Sequence, residues 1–276
     1  MKSIEELLED SRVWRGTSTQ SSDSDQIKSI STGVNSLDRQ LHWRGWPLNS
    51  STEILCEHWG SGELSLLTPI LSQLSKKKLK IAWLNPPFTP YPPALAMQNI
   101  EPKQCLVLYP EQPHEWWAAE QVLSSSAFAI VLTWFSKQVT HVGPYRRLQA
   151  AADKGQCLHI NFRPMSTRNH ASPARLRLSL RASENRVLLD VIKQPGGWGG
   201  QKLDIKRPDS LLFRQKPRQT WPVYPDIRRP DYVPAEMKTL ASTANRIANQ
   251  IAYGKKSKAE IFTVKHSDKP IQRLLS

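Results

Sequence analysis

The chain has 276 residues, with 38 Lys and Arg against 24 Asp and Glu and a formal charge of +14. That length fits one domain with appendages or two small domains. No run approaches the roughly 20 apolar residues of a membrane span, and the opening MKSIEELLEDSRVW carries acids and no apolar stretch, unlike a secretory signal. A cytoplasmic protein with no membrane contact is expected. Cys56, Cys105 and Cys157 each sit in an apolar run and read as small buried hydrophobes in a reducing compartment. No cysteine or histidine pair has ligand spacing, so neither a metal nor another cofactor is expected.

The charge is unevenly placed. Residues 201–276 hold 16 Lys and Arg against 7 Asp and Glu, a net of +9. Such asymmetry suits nucleic acid or an acidic partner, or simply a solvated tail.

In chain order, Ile4, Leu7, Leu8, Val13 and Trp14 have roughly helical spacing, and the polar stretch 16–29 reads as a flexible linker. Residues 31–41 open with turn formers and then place Val34, Leu37 and Leu41 on one helical face. Residues 43–51 form a turn-rich connector, and 53–56 a buried strand. A helix is expected over 63–75, weakened or kinked by Pro69. Strands follow at 79–84, 104–109, 128–135 and 156–162, separated by helices at 90–98, 113–125 and 143–154, with Gly155 suited to end the last. Strand–helix alternation predicts right-handed crossovers and a mostly parallel sheet. Residues 176–180 and 186–192 alternate apolar and polar residues, as two half-exposed strands of an edge hairpin would. PGGWGG at 195–200 closes the domain. Beyond it, a helix is expected at 234–252, where Met237, Leu240, Ala244, Ile247 and Ile251 recur at helical spacing. The expected division is 1–29 as helix and linker, 30–200 as core, and 201–276 as a basic, partly disordered extension.

The stretch STEILCEHWGSGELS at 51–65 has the outline of a phosphate-binding loop. Such a loop reads G-x-x-x-x-G-K-[ST], because backbone N–H groups cradle phosphates, the lysine neutralises them and the hydroxyl holds magnesium. With Gly62 as the second glycine, Glu57 replaces the first, Glu63 the lysine and Leu64 the hydroxyl residue. A carboxylate about 4 Å from a phosphate charge repels it by roughly 1 kcal/mol in water and about 4 at a protein-like dielectric. A structural alternative is that Gly60, Ser61, Gly62 and Glu63 make only a tight turn between strand and helix.

Several segments in one order carry a resemblance: TGVNSLD at 32–38, Gly45-Trp46-Pro47, Thr52-Glu53-Ile54-Leu55, Gly60 to Leu64, WLNPPFTPYPPAL at 83–95, WAAEQVLS at 117–124, RRLQAAADKG at 146–155, and 162–178. Together they resemble the ImuA family, RecA-like accessory factors of bacterial SOS mutagenesis. The resemblance covers about 150 to 170 residues and implies a RecA-like three-layer α/β sandwich. It also implies action with an ImuB-like Y-family polymerase homologue, RecA and an error-prone replicative-type polymerase.

Three departures from the RecA core bear on chemistry. Glu63 stands at the lysine position, Thr133 at the place of the magnesium-binding acid, and Asn85-Pro86-Pro87 at the place of the activating carboxylate. Without clamp, metal acid and base, phosphoryl transfer loses its machinery. A non-catalytic adaptor in translesion DNA synthesis after DNA damage is the expected role. An SOS-induced inhibitor of cell division resembling SulA and acting on FtsZ is a second reading, and a weak ATPase a third.

Candidate contacts to nucleic acid or a partner are Arg163, Arg168, Arg175 and Arg177, which follow a central strand, where the RecA resemblance places DNA-facing loops. In the extension they are Lys202, Lys206, Arg207, Arg214, Lys216 and Arg218, which alternate with Phe213, Trp221 and Tyr224. Cations interleaved with aromatics suit single-stranded DNA, by phosphate contact and base stacking, or a segment that folds on a protein. Trp43, Trp46, Trp59 and Trp198 fall in turns, where an aromatic serves either packing or an interface.

Overall fold

The protein is described from a computed structural model, which covers residues 28–60, 62–183, 186–194, 196–197 and 199–206. The helices expected before residue 28 and at 234–252 lie outside these.

Among the described residues, seven of the ten strands and all five α-helices fall where hydrophobic periodicity places them. Strand β1 is Ser29–Ile30, helix α1 Asn35–Gln40, β2 Trp46–Pro47 and β3 Ser50–Cys56. Helix α2, Glu63–Lys76, runs on through Pro69. Then come β4 Ile81–Leu84, α3 Pro92–Met97, β5 Cys105–Leu108, α4 Glu115–Ser124 and β6 Ile130–Trp134. Helix α5 is Gly143–Gly155 and β7 Leu158–Pro164. Strands β8 Leu176–Ser183, β9 Arg186–Lys193 and β10 Lys202–Lys206 complete the chain described.

One eight-stranded sheet organises the fold, in the order β10-β9-β8-β3-β7-β6-β4-β5. The six strands from β8 to β5 are parallel; β9 pairs antiparallel with β8, and β10 antiparallel with β9. The crossovers through α2 and α3 cover one face, together with α1. Leu67, Ile70, Leu71 and Leu74 of α2 pack there with Ile54, Ile81, Trp83, Trp134 and Phe162. Helices α4 and α5 cover the other face, where Ala119, Leu123, Leu148 and Ala152 meet Ala82, Leu84 and Val131. The result is three layers, as strand–helix alternation requires.

The hairpin β8–β9 is not the edge element its alternation suggests. Strand β8 lies inside the sheet between β3 and β9, and its polar residues Arg177 and Ser179 are buried. Strand β10 carries the sheet past residue 200, because Leu203 packs into the core. Lys202 and Lys206 therefore belong to the sheet and not to the extension.

Two local details differ from the sequence reading for steric reasons. Trp46 is fully buried in β2, not displayed on a turn. Gly155 stays within α5, since a Cβ there would sit 1.7 Å from the carbonyl oxygen of Leu123. The left-handed residue that ends the helix is Gln156, at φ 52° and ψ 48°.

Candidate functional site

Strand β3 delivers the loop 57–62 to the carboxyl end of the central parallel strands, the edge at which open α/β sheets place ligand sites. Gly60 and Gly62 take positive φ, 78° and 104°, which turns the chain sharply into α2. Glu63, the first residue of α2, is only 3% exposed. Its Oε1 accepts the Gly60 N–H at 2.8 Å, and its Oε2 is buried with no hydrogen-bond partner. The carboxylate thus folds back into the loop and takes an N–H that a phosphate would otherwise receive. A negative group at a helix start is also favoured by the dipole. Burial, and then the Glu63 charge, push the neighbouring Cys56 thiol far up. Ser61 lies outside the described residues.

Glu63→Ala is expected to shift the urea midpoint by the equivalent of about 1–2 kcal/mol, through the unpaired Gly60 N–H and the lost charge at the helix start. ATP with magnesium is expected to leave the thermal midpoint of the unaltered chain where it was. Stabilisation by ATP would show the loop open to nucleotide.

The other two positions singled out in the sequence, Asn85 and Thr133, are also committed elsewhere. Asn85, at φ 50°, stitches β4 to β5: its N–H donates to the Leu108 carbonyl at 2.8 Å and its side-chain amide to the Pro110 carbonyl at 3.5 Å. Thr133 is completely buried in a hydrogen-bonded array beneath α5. There its hydroxyl donates to Asn161 Oδ1 at 3.2 Å and lies 2.9 Å from His159 Nε2. With the threonine proton given to Asn161, His159 Nε2 carries hydrogen, and Nδ1 accepts the Ser51 hydroxyl at 2.8 Å. Burial drives the His159 pKa down to about 3. The Ser51–His159 contact has the form of a nucleophile and base, but both are buried. The void beside them, lined also by Tyr145 and Asn161, is about 10 Å³, room for about one water. That void is too small for a molecule much larger than water.

A second buried cluster adjoins the first on the same sheet face. Glu53 Oε1 accepts Arg163 Nη1 at 2.9 Å, and Oε2 accepts Arg177 Nε at 2.8 Å. Arg177 also donates to the carbonyls of Thr167 and Arg168, both at 3.2 Å, which ties the β7–β8 connection to the sheet. Arg163 donates from Nε to Gln138 at 3.1 Å and lies over the Tyr145 ring at 4.2 Å, while its Nη2 has no partner. One carboxylate faces two guanidiniums, so the cluster holds an excess positive charge out of water.

This burial corrects two of the four arginine assignments. Arg163 is 0% exposed and Arg177 6%, and neither presents its charge to a phosphate outside, because β8 lies inside the sheet and α5 covers β7. Arg168 is exposed and reaches Ser179 at 2.8 Å and Asp190 at 3.5 Å. Arg175 is half-buried, and its N–H donates to the Ser51 carbonyl at 3.0 Å. Lys202 is exposed on β10. Arg207, Arg214, Lys216 and Arg218 lie outside the described residues. The outer face of β8–β10 forms an open concavity of about 240 Å³, lined by Ser179, Arg181, Leu188, Asp190, Lys202 and Asp204. Arg181 in its lining is already paired with Glu57 at 3.0 Å, and Arg186 of β9 with Asp204, so neither arginine is a free cation there.

Glu53, His159, Ser51 and Asn161 were absent from the sequence-based candidates. The strict alternation in LHINFRP at β7 was the available signal. Alternation marks two unlike faces, and here both are covered.

Among the described residues no group of three His, Cys, Asp or Glu side chains is placed to hold a metal ion, and no helix is long and apolar enough to cross a membrane. No family model matches the chain, and no curated protein matches it.

Proposed function

We propose that this chain is a cytoplasmic, non-catalytic adaptor with a RecA-like fold, acting in SOS-induced error-prone translesion DNA synthesis. The partners in this reading are an ImuB-like Y-family polymerase homologue, RecA and an error-prone replicative-type polymerase. The ordered segments from TGVNSLD to 162–178 support the family resemblance, and the three-layer sheet is compatible with it. The observation that carries the non-catalytic part is the Glu63 carboxylate accepting the Gly60 N–H inside the loop.

The basic extension supplies the DNA contact in this reading, with Lys and Arg neutralising phosphates and Phe213, Trp221 and Tyr224 stacking on bases. Arg168, Arg175 and Lys202 are the described cations that remain for such a contact. The adaptor differs from a SulA-like inhibitor in its partner and from a weak ATPase in having no turnover.

Immobilised full-length chain is expected to retain purified ImuB-like protein and RecA but not FtsZ. It is expected to bind single-stranded DNA with an affinity that falls steeply between low and moderate salt. Truncation after Lys206, which spares β10, is expected to remove most of that DNA binding. Retention of FtsZ alone would favour the division inhibitor and overturn the adaptor.

A further inference from the structure

Three large aromatic side chains stand in solvent at the carboxyl edge of β4 and β5. Phe88 is 66% exposed, Tyr91 45% and Tyr109 54%. The Thr89 and Tyr109 hydroxyls are 3.2 Å apart, which brings the segment carrying Phe88 and Tyr91 beside Tyr109, and the Phe88 ring lies against Gly60. Pro87 is exposed beside them, and Pro90 and Pro110 are half-exposed. Exposed aromatics gathered in one place mark an interaction surface more often than scattered apolar residues do.

The charges select the partner. The segments that build this surface, 85–92 and 109–112, contain no Lys or Arg, and Glu111 is exposed among them. For base stacking, these two segments supply no cation of their own to hold the phosphates. A proline-rich segment bearing arginines fits instead, because exposed aromatic rings receive proline rings in extended peptides and a carboxylate receives guanidinium.

The chain itself carries such a segment within reach. Residues 207–234 contain six prolines and six Lys or Arg against three Asp. Strand β10 is antiparallel to β9, which is antiparallel to β8, which is parallel to β3. The chain therefore leaves Lys206 on the same edge of the sheet that displays Phe88, Tyr91 and Tyr109. From β10 to β5 are seven strand spacings, roughly 34 Å, which an extended chain crosses in about 11 residues. Everything from about residue 217 onward can arrive.

We infer that the proline- and arginine-rich stretch 217–234 docks in cis on the surface formed by Phe88, Tyr91 and Tyr109, with its arginines directed toward Glu111. The basic extension is thereby held against a part of that sheet edge whose own segments carry no Lys or Arg. The inference is independent of which partner the extension meets when released.

Full-length chain with a photo-reactive benzophenone amino acid incorporated at position 88 tests this directly. Irradiation at low protein concentration, followed by peptide mass spectrometry, is expected to yield crosslinks within one molecule to residues 217–234. Crosslinks that join two molecules only, or that fall outside 217–234, overturn the inference, as does their absence. Limited trypsin digestion supplies a second readout. The full-length Tyr91→Ala/Tyr109→Ala variant alters exposed side chains alone and is expected to be cut after Arg218 and Arg228 about fivefold faster or more, as a segment freed from a weak contact would be. An unchanged rate, with circular dichroism matching that of the unaltered chain, counts against docking.

Discussion

Replacing Glu53 with glutamine is expected to cost about 3–5 kcal/mol of unfolding free energy, the largest effect of any single conservative change in this protein. Glutamine keeps the shape of the side chain but removes the carboxylate that, among the described residues, faces both Arg163 and Arg177. Two guanidiniums would then be left in a place where neither water nor a counter-charge compensates them. Urea unfolding followed by tryptophan fluorescence measures the loss. A companion variant, Glu53→Leu/Arg163→Met/Arg177→Met, removes all three charges together. It is expected to lie within about 1–2 kcal/mol of the unaltered chain, since replacing a buried ionic cluster by apolar groups is often nearly neutral. If Glu53→Gln alone proved neutral, the two arginines would have to be hydrated, and the cluster would not be the enclosed feature described above.

Acid is expected to destabilise the fold through His159. The ring is neutral when folded, with a pKa near 3 against an ordinary value of 6.5, and burial is the cause. Above pH 6.5 neither state binds the proton, and the contribution to stability is whole. As pH falls below 6.5 the unfolded chain takes a proton that the folded chain refuses, so stability is lost progressively until pH reaches about 3. The full loss from this group is up to about 5 kcal/mol, at about 1.4 per pH unit. Acid acts on the rest of the chain as well. The informative quantity is therefore the difference between the unaltered chain and His159→Gln, which keeps a donor and an acceptor for Thr133 and Ser51. Urea midpoints from pH 7 to pH 4 are expected to fall less steeply for the variant. Parallel slopes would mean that His159 admits a proton in place.

The elements were legible because apolar spacing at periods of two and 3.6 marks strands and helices wherever packing is regular, as in β6 and α5. The arrangement within the sheet was less so. Strand β8 alternates LRLSLR, a pattern that reads as one wet face. That face is instead buried at Arg177 and Ser179 and open only at Arg181, because Glu53 from the neighbouring strand compensates Arg177, and pairing across strands cannot be read from either strand alone. Strand β10 was hidden for a simpler reason. KLDIK alternates as a strand should, but it opens a stretch whose charge dominates its appearance. At the loop, the sequence showed a carboxylate, Glu63, where a phosphate-binding loop has its lysine, whereas its direction, back onto Gly60, depended on the turn that Gly60 and Gly62 make. The aromatic surface was visible as PPFTPYPP, but its nearness to Tyr109 and to the exit of the chain came only with the strand order.

The hydrogen-bonded array under α5 also guards against mispairing. In β7, His159, Asn161 and Arg163 face α5, while Ile160 and Phe162 face α2, where Phe162 stacks on Trp134 at 4.4 Å. A slip of β7 by one residue would exchange these sets. An imidazole, an amide and a guanidinium would enter the layer of Trp83, Trp134 and Leu71, and Phe162 would meet the Glu53 carboxylate. Each wrong register would strand charges and polar groups without partners on one side and leave the aromatic stack without a member on the other. In a purely apolar central strand, neighbouring registers can approach one another in energy. Here the two unlike faces keep them far apart, so the sheet tells its correct alignment from its nearest errors by chemistry as well as by fit.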